Sequence, residues 1–551
     1  MIINKIMNNN NKINLKTYIF LFTLTFITFF TKFYLFGAYE DDLSQLRYFG
    51  TSFNEKIDLI FNYFVNFPMG RPFGFISLRV LSSFIYDIGG INLLYLFCCF
   101  VLSSNSFLVF LILRKININY SLAIIGSLIF ITFPGDALKM TIVRGFQVHL
   151  SILICLLATL LYLNNKKLTS YILFFVSLLT YENGIFIFLF ASALKHKSLS
   201  IKNNFKHVLY VALTIILVIL IRKYIGSGNR LDGMISNVTD LEKLLRIPVG
   251  IIGGLFMSFV SYIKKTIHLL LNLKIWMLLV TFTVFFTFYY LEKIKNFITY
   301  QEDIKKQEAI NLFFIGIFSI SLGYIVMSNH RFGAIWTEYG RITSTHSQSA
   351  FGISLCFVIL INLLCNLLNK RKKKFIISFI LTFLIAPGII LGNFIQNKII
   401  INWQKSKNLF TYINKEILDW DEDLVLIIPK GYNNNNYVKG SAWNSFYIPG
   451  LMYDFPQNWR RKPIIITEDR LKVKGDKIYY NKLGQKINIK KDKMVFIIKN
   501  NNNFRRLRDQ IVNIELMENN NIKFIKIIPY KGKKFLAKKS SLQSFFINND
   551  K

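Results

Sequence analysis

Long, unbroken apolar runs constrain this chain more than any other feature. One occupies 18–37, and comparable runs recur as far as residue 395. A hydrocarbon core about 30 Å thick takes about 20 apolar residues of helix to cross. Lipid offers no partner to an open peptide group, so only helices or closed barrels span it. Barrel strands alternate apolar and polar residues; these runs do not, which leaves helices. With 53% of 551 residues hydrophobic, a soluble fold is excluded. Cys98, Cys99, Cys155, Cys356 and Cys365 all fall inside the runs. That placement suits small packing residues rather than a disulfide framework or a zinc site. The net charge of +37 points to anionic lipid head groups before nucleic acid, for which no recognition motif is present.

Orientation follows from the basic residues. The first 16 residues are basic and Asn-rich, and the run after them is too long for a signal-peptide core. It reads as a retained span with the N-terminus cytoplasmic. Basic clusters recur at Arg114-Lys115, Lys166-Lys167, Lys195-His196-Lys197, 293–306 and 370–374. Placing all of them inside gives about eleven spans, starting near residues 18, 91, 120, 146, 169, 184, 206, 274, 310, 349 and 375. The run 247–273 carries Lys264, Lys265 and His268. Crossing there would put 293–306 outside, so it reads as an amphipathic helix on the outer surface. The expected fold is a mainly α-helical polytopic membrane protein over 1–395, then a small extracytoplasmic α/β domain over 396–551. In that tail, strand-like runs at 424–429, 463–467 and 494–499 follow a helical stretch at 409–418, with Asn-rich loops between.

Charged residues at the outer ends of the spans are the candidates for chemistry. Tyr39-Glu40-Asp41-Asp42 follows the first span, and the loop continues through an amphipathic segment at 57–64 to Gly70-Arg71-Pro72. Pro134-Gly135-Asp136 follows the third span, with Lys139 and Arg144 beyond it. Glu182 sits where two short apolar runs meet. Carboxylates at such depths are expensive and usually functional, although Asp136 also suits a helix cap and Glu182 a partner for a nearby arginine. A cluster of His330, Arg331, Trp336, Glu338, Tyr339, Arg341 and His346 follows the ninth span. Arginine suits bidentate phosphate binding; interfacial anchoring is the plainer role. His149, near the outer end of the fourth span, reads as a satisfied core histidine.

Three of these features together resemble the GT-C class of membrane glycosyltransferases. They are acids just outside the first span, an amphipathic first outer loop closed by Gly70-Arg71-Pro72, and many spans ending in an outer domain. The nearest members use polyprenyl-phosphate-sugars and include the O-antigen glucosyltransferases related to phage seroconversion enzymes. The resemblance is best over the first 200 residues or so. It implies a lipid-phosphate-linked sugar donor, a glycan or lipid-linked acceptor, and transfer outside the cytoplasmic membrane. It also implies a first-loop base, which falls on Asp41 or Asp42, and a second-loop acid, which falls on Asp136. Some members hold a divalent cation with such acids and others need none. No histidine accompanies the first-loop acids here, so no metal or cofactor is assigned.

The chemistry is consistent with that expectation. Polyprenyl phosphate leaves readily, so one carboxylate to deprotonate the acceptor is enough, with fixed cations to receive the phosphate. Lys139, Arg144, Arg331 and Arg341 are placed for that. The expected mechanism is single displacement with inversion. An O-antigen ligase or polymerase would depend instead on the Arg and His of 330–346. A flippase would be expected to show paired halves with broken helices, and none is visible. The Lys, Asn, Ile and Phe bias fits an AT-rich genome, and a bacterial inner membrane is the expected location.

Overall fold

A computed structural model describes residues 2–39, 42–49, 51–225, 241–295, 305–325, 335–336, 341–368 and 370–416, with short strands between 425 and 539. Two compact units emerge: Met1–Tyr34 with Phe49–Asn397, and Leu35–Tyr48 with Lys398–Lys551.

The first unit is a helical bundle. Seven helices among the described residues are long and apolar enough to cross a membrane: Asn14–Leu35, Pro72–Lys115, Arg144–Leu163, Ile201–Tyr224, Arg246–Leu271, Ile275–Lys293 and Lys372–Asn408. Shorter apolar helices run over Tyr120–Thr132, Lys167–Thr180 and Ser349–Cys365. The chain is thus an integral membrane protein of helical type. Seven such helices are fewer than the eleven or so spans expected, because several expected spans are shorter than a bilayer. Tyr120–Thr132 has 13 residues, roughly 20 Å at the helical rise.

The expected surface segment 247–273 falls largely in one 31-residue helix, Leu241–Leu271, with Pro248 inside it, and Arg246–Leu271 has the length and composition of a span. Near its C-terminal end Lys264 is exposed whereas Lys265 is buried in the protein. Counting the helix as a span changes the parity on which the outward placement of 396–551 rested.

Local sequence explains the helix ends. Ser52 opens helix Phe53–Asn66 with a capping box, accepting from the Glu55 amide at 3.3 Å while Glu55 accepts from the Ser52 amide at 2.8 Å. Asn119 caps Tyr120–Thr132 through the Leu122 amide at 2.8 Å. Within the helices, hydroxyls bond back one turn, as Thr25 does to the Leu21 carbonyl at 2.6 Å. Lys306–Gly323 and Ser349–Leu367 approach closely at Gly316 and Gly352; a Cβ on Gly352 would stand 2.5 Å from the Gly316 carbonyl oxygen.

The segments assigned to the outer side gather at one end of this bundle. Two π-helical turns meet there, Ile76–Leu81 and Arg144–His149. The Ser77 hydroxyl donates to the Phe146 carbonyl at 2.7 Å. The Ala137 amide donates to Thr343 at 3.2 Å, and the Asn183 amide group donates to Ser347 at 3.0 Å. The basic segments assigned inside meet elsewhere, Lys197 with Glu308 at 2.8 Å.

In the second unit, the Tyr39 hydroxyl donates to the Ile399 carbonyl at 3.0 Å, and Gly37 lies so close to Trp403 that a Cβ would clash with the indole. Strand Val425–Ile428 pairs in parallel with Ile464–Thr467 on one side and Met494–Asn500 on the other. Leu471–Lys474, Lys477–Lys482 and Gln485–Ile489 form an antiparallel sheet.

Two outcomes test this architecture. Gly352→Leu should lower thermal stability in detergent by about 1–3 kcal/mol; an unchanged melting temperature would contradict the close helix approach. In a cysteine-free background, Thr239→Cys and Asn272→Cys should label with an impermeant maleimide from opposite sides of the membrane. Labelling from one side would return Leu241–Leu271 to the surface.

Candidate functional site

The helix Tyr120–Thr132 ends before Pro134, which has no amide to continue it. The chain then folds back to the π-helical turn Arg144–His149. Such wide turns recur at functional sites. Here the turn sets two side chains against Asp136. Arg144 Nη1 lies 3.6 Å from Asp136 Oδ1, and His149 Nε2 lies 3.7 Å from Oδ2. The Asp136 side chain is 1% exposed. No side chain among the described residues hydrogen-bonds either of its oxygens or His149 Nε2; the Leu138 amide is the donor directed at the carboxylate. Lys139 is held nearby: its ammonium donates to the Ile131 carbonyl at 2.5 Å and lies 5.4 Å from the centre of the Phe29 ring.

Burial pushes the Asp136 carboxyl up from its ordinary value, while the charges of Arg144 and Lys139 pull it back. Burial pushes Lys139 down to about 8, with Asp136 opposing. A desolvated carboxylate holds a proton more readily than one in water, and the cations beside it limit that effect. Lys139 and Arg144 are each 4% exposed and turn toward the polypeptide. Both therefore bear on the charge of Asp136.

A second charged cluster joins three separate segments. Arg71 grips Glu182 with both arms of its guanidinium, Nε to Oε1 at 3.0 Å and Nη2 to Oε2 at 2.6 Å. Arg222, near the end of helix Ile201–Tyr224, also donates to Glu182 Oε1. Its Nε donates to the Gly70 carbonyl at 2.9 Å and its Nη2 to the Leu178 carbonyl at 2.7 Å. Arg71 also stacks over Tyr181, 4.1 Å from the ring centre. Burial alone would raise Glu182, but Arg71 and Arg222 outweigh it and hold the carboxyl down to about 2. The same pairing raises Arg71 above its ordinary value against the opposing effect of burial.

The other expected residues are placed as follows. Glu40 and Asp41 lie outside the described residues. Asp42 is buried at the start of the short helix Asp42–Gln45 in the second unit, and its Oδ2 accepts from the Tyr39 amide at 3.4 Å. His330 and Arg331 lie outside the described residues, as does the side chain of Arg341, which opens the turn Arg341–His346. His346 is buried, with Nδ1 2.6 Å from the Tyr324 hydroxyl. Among the described residues, no three His, Cys, Asp or Glu side chains gather closely enough to hold a metal ion.

Sequence reasoning missed Arg222 altogether, and it assigned His149 to the core without its acid. A signal for Arg222 was present: Arg222-Lys223 is a basic pair at a helix end that the charge rule puts outside. For His149 the linear spacing to Asp136 carries no signal, because the π-helical turn decides which way the ring faces.

Glu182 provides a stability test with a defined sign. Its carboxyl lies near 2 in the folded protein against 4.5 ordinarily, so its stabilisation is complete above about pH 4.5 and is lost as pH falls toward 2. The ceiling is about 3 kcal/mol. Glu182→Gln should melt several degrees lower at pH 7 and lose less than wild type between pH 5 and 3. Parallel losses would contradict the ion-pair assignment.

No protein-family model matches this chain, and no curated protein matches it in sequence, so the site is read from its own chemistry.

Proposed function

We propose that this protein is a membrane glycosyltransferase that moves a sugar from a polyprenyl-phosphate donor to a glycan or lipid-linked acceptor on the extracytoplasmic face. The observation that carries the reading is Asp136: a buried carboxylate with no side-chain hydrogen bond among the described residues, faced by Arg144 and His149, at the end of a helical bundle of membrane-spanning length. In the reaction, a carboxylate takes the acceptor hydroxyl proton and the acceptor oxygen bonds to the anomeric carbon. The carbon–oxygen bond to phosphate breaks, and the lipid phosphate leaves with the electron pair. Asp41 or Asp42 is the base expected from the class, and Asp136 is the second acid.

The strands from Val425 onward are read as a small α/β domain that helps bind the acceptor. The unit containing them also holds Leu35–Tyr48, the segment that follows the first span. With the N-terminus cytoplasmic, that supports an extracytoplasmic position for residues 398–551, whatever the number of later spans. A bacterial inner membrane is the proposed location.

Transfer from a panel of polyprenyl-phosphate-sugars by purified wild type, Asp41→Asn, Asp42→Asn and Asp136→Asn tests the proposal. Wild type should transfer, and at least one folded variant should lose about a hundredfold or more in turnover. If no donor is consumed, or all three variants keep full activity, the transferase reading fails. A ligase dependent on Arg331, Arg341 and His346 would then take its place.

A further inference from the structure

We propose that Arg71 and Arg222 form the binding site for the phosphate of a membrane-embedded lipid, and that Glu182 occupies the phosphate position until the lipid arrives. The identity of the lipid as polyprenyl phosphate rests on the transferase reading above; the site itself does not.

The geometry is that of anion recognition. Two guanidiniums converge on one carboxylate, one of them through a two-point fork. The same fork matches a phosphate. The cluster carries one positive charge beyond what Glu182 neutralises, and a phosphate brings the further negative charge that would balance it. Arg222 is held by carbonyls of two other segments, Gly70 and Leu178, so its guanidinium is fixed even when Glu182 moves away. Arg71 is fixed from beneath by Tyr181.

The backbone leading to Arg71 is built for this placement. Phe67, Met69 and Gly70 all have positive φ, at 39°, 51° and 67°. The first two are unfavourable for residues with a side chain. At Gly70 a Cβ would stand 2.4 Å from Arg222 Cγ. The chain therefore accepts local strain and a glycine in order to bring these two arginines together.

Access distinguishes this pair from the cations around Asp136. The Arg71, Arg222 and Glu182 side chains are 16%, 14% and 17% exposed, whereas Lys139 and Arg144 are sealed. Arg222 also lies two residues from the end of Ile201–Tyr224, a helix long and apolar enough to cross a membrane. A charged site at the end of such a helix lies at the depth of lipid head groups, where an embedded lipid presents its phosphate.

The test is binding by the purified full-length protein in detergent, measured by native mass spectrometry with three probes: polyprenyl monophosphate, the matching polyprenol and inorganic phosphate. Wild type should bind the lipid phosphate and neither other probe comparably. Arg222→Lys keeps the charge but loses the fork, and should weaken lipid-phosphate binding about tenfold. Glu182→Gln removes the competing carboxylate and should tighten it about threefold or more. A merely structural cluster predicts lower stability in both variants with unchanged affinity, and that result overturns the site. Comparable binding of inorganic phosphate or of polyprenol also overturns it. Lipid-phosphate binding without sugar transfer would sink the transferase reading and leave this site standing. Transfer with unchanged binding in Arg222→Lys would do the reverse.

Discussion

Everything in this molecule depends on how a lipid-spanning bundle accommodates charge. Hydrocarbon gives a polar group no partner, so the helices satisfy their own backbones and their hydroxyls bond back to the preceding turn. Charged side chains are pressed to the ends, where those that stay buried need a counter-charge. Arg71, Glu182 and Arg222 meet that requirement with direct hydrogen bonds. Asp136 meets it only by charge, at 3.6 and 3.7 Å from Arg144 and His149. Burial destabilises the ionised form of Asp136 and raises its proton affinity, while Arg144 and Lys139 oppose that shift.

The two clusters differ in access. Asp136 sits deep, sealed, with cations turned inward on it. The Arg71–Glu182–Arg222 group is partly open and ends a lipid-facing helix. The proposed transfer from a lipid phosphate would use both environments: a desolvated acid beside the reacting groups, and accessible fixed positive charge where the phosphate departs. Segments that close the bundle at this end supply both, tied together by bonds such as Ser77 to Phe146 and Asn183 to Ser347.

Much of the helical framework was legible in the sequence, because continuous apolar runs admit one backbone solution in lipid. The capped helix Phe53–Asn66 follows from its amphipathic spacing. What the sequence could not convey was contact. Glu182 was visible as an acid wanting an arginine, but nothing linear selects Arg71 and Arg222, which lie 111 and 40 residues away. Length and charge pull in opposite directions over Leu241–Leu271: the helix is long and apolar enough to cross, while Lys264, Lys265 and His268 favour the surface reading. The lengths of the shorter helices depend on where Pro134 and the turn at Glu182–Gly184 stop them, which periodicity does not resolve.

The stereochemistry of the product addresses the mechanism most directly. A donor of known anomeric configuration would be supplied to the purified protein, and the anomeric proton of the product would be assigned by NMR. Direct displacement by an acceptor activated at one carboxylate requires the inverted anomer. A retained configuration would demand a covalent glycosyl-enzyme and a second carboxylate acting as nucleophile, and would contradict the single-base mechanism.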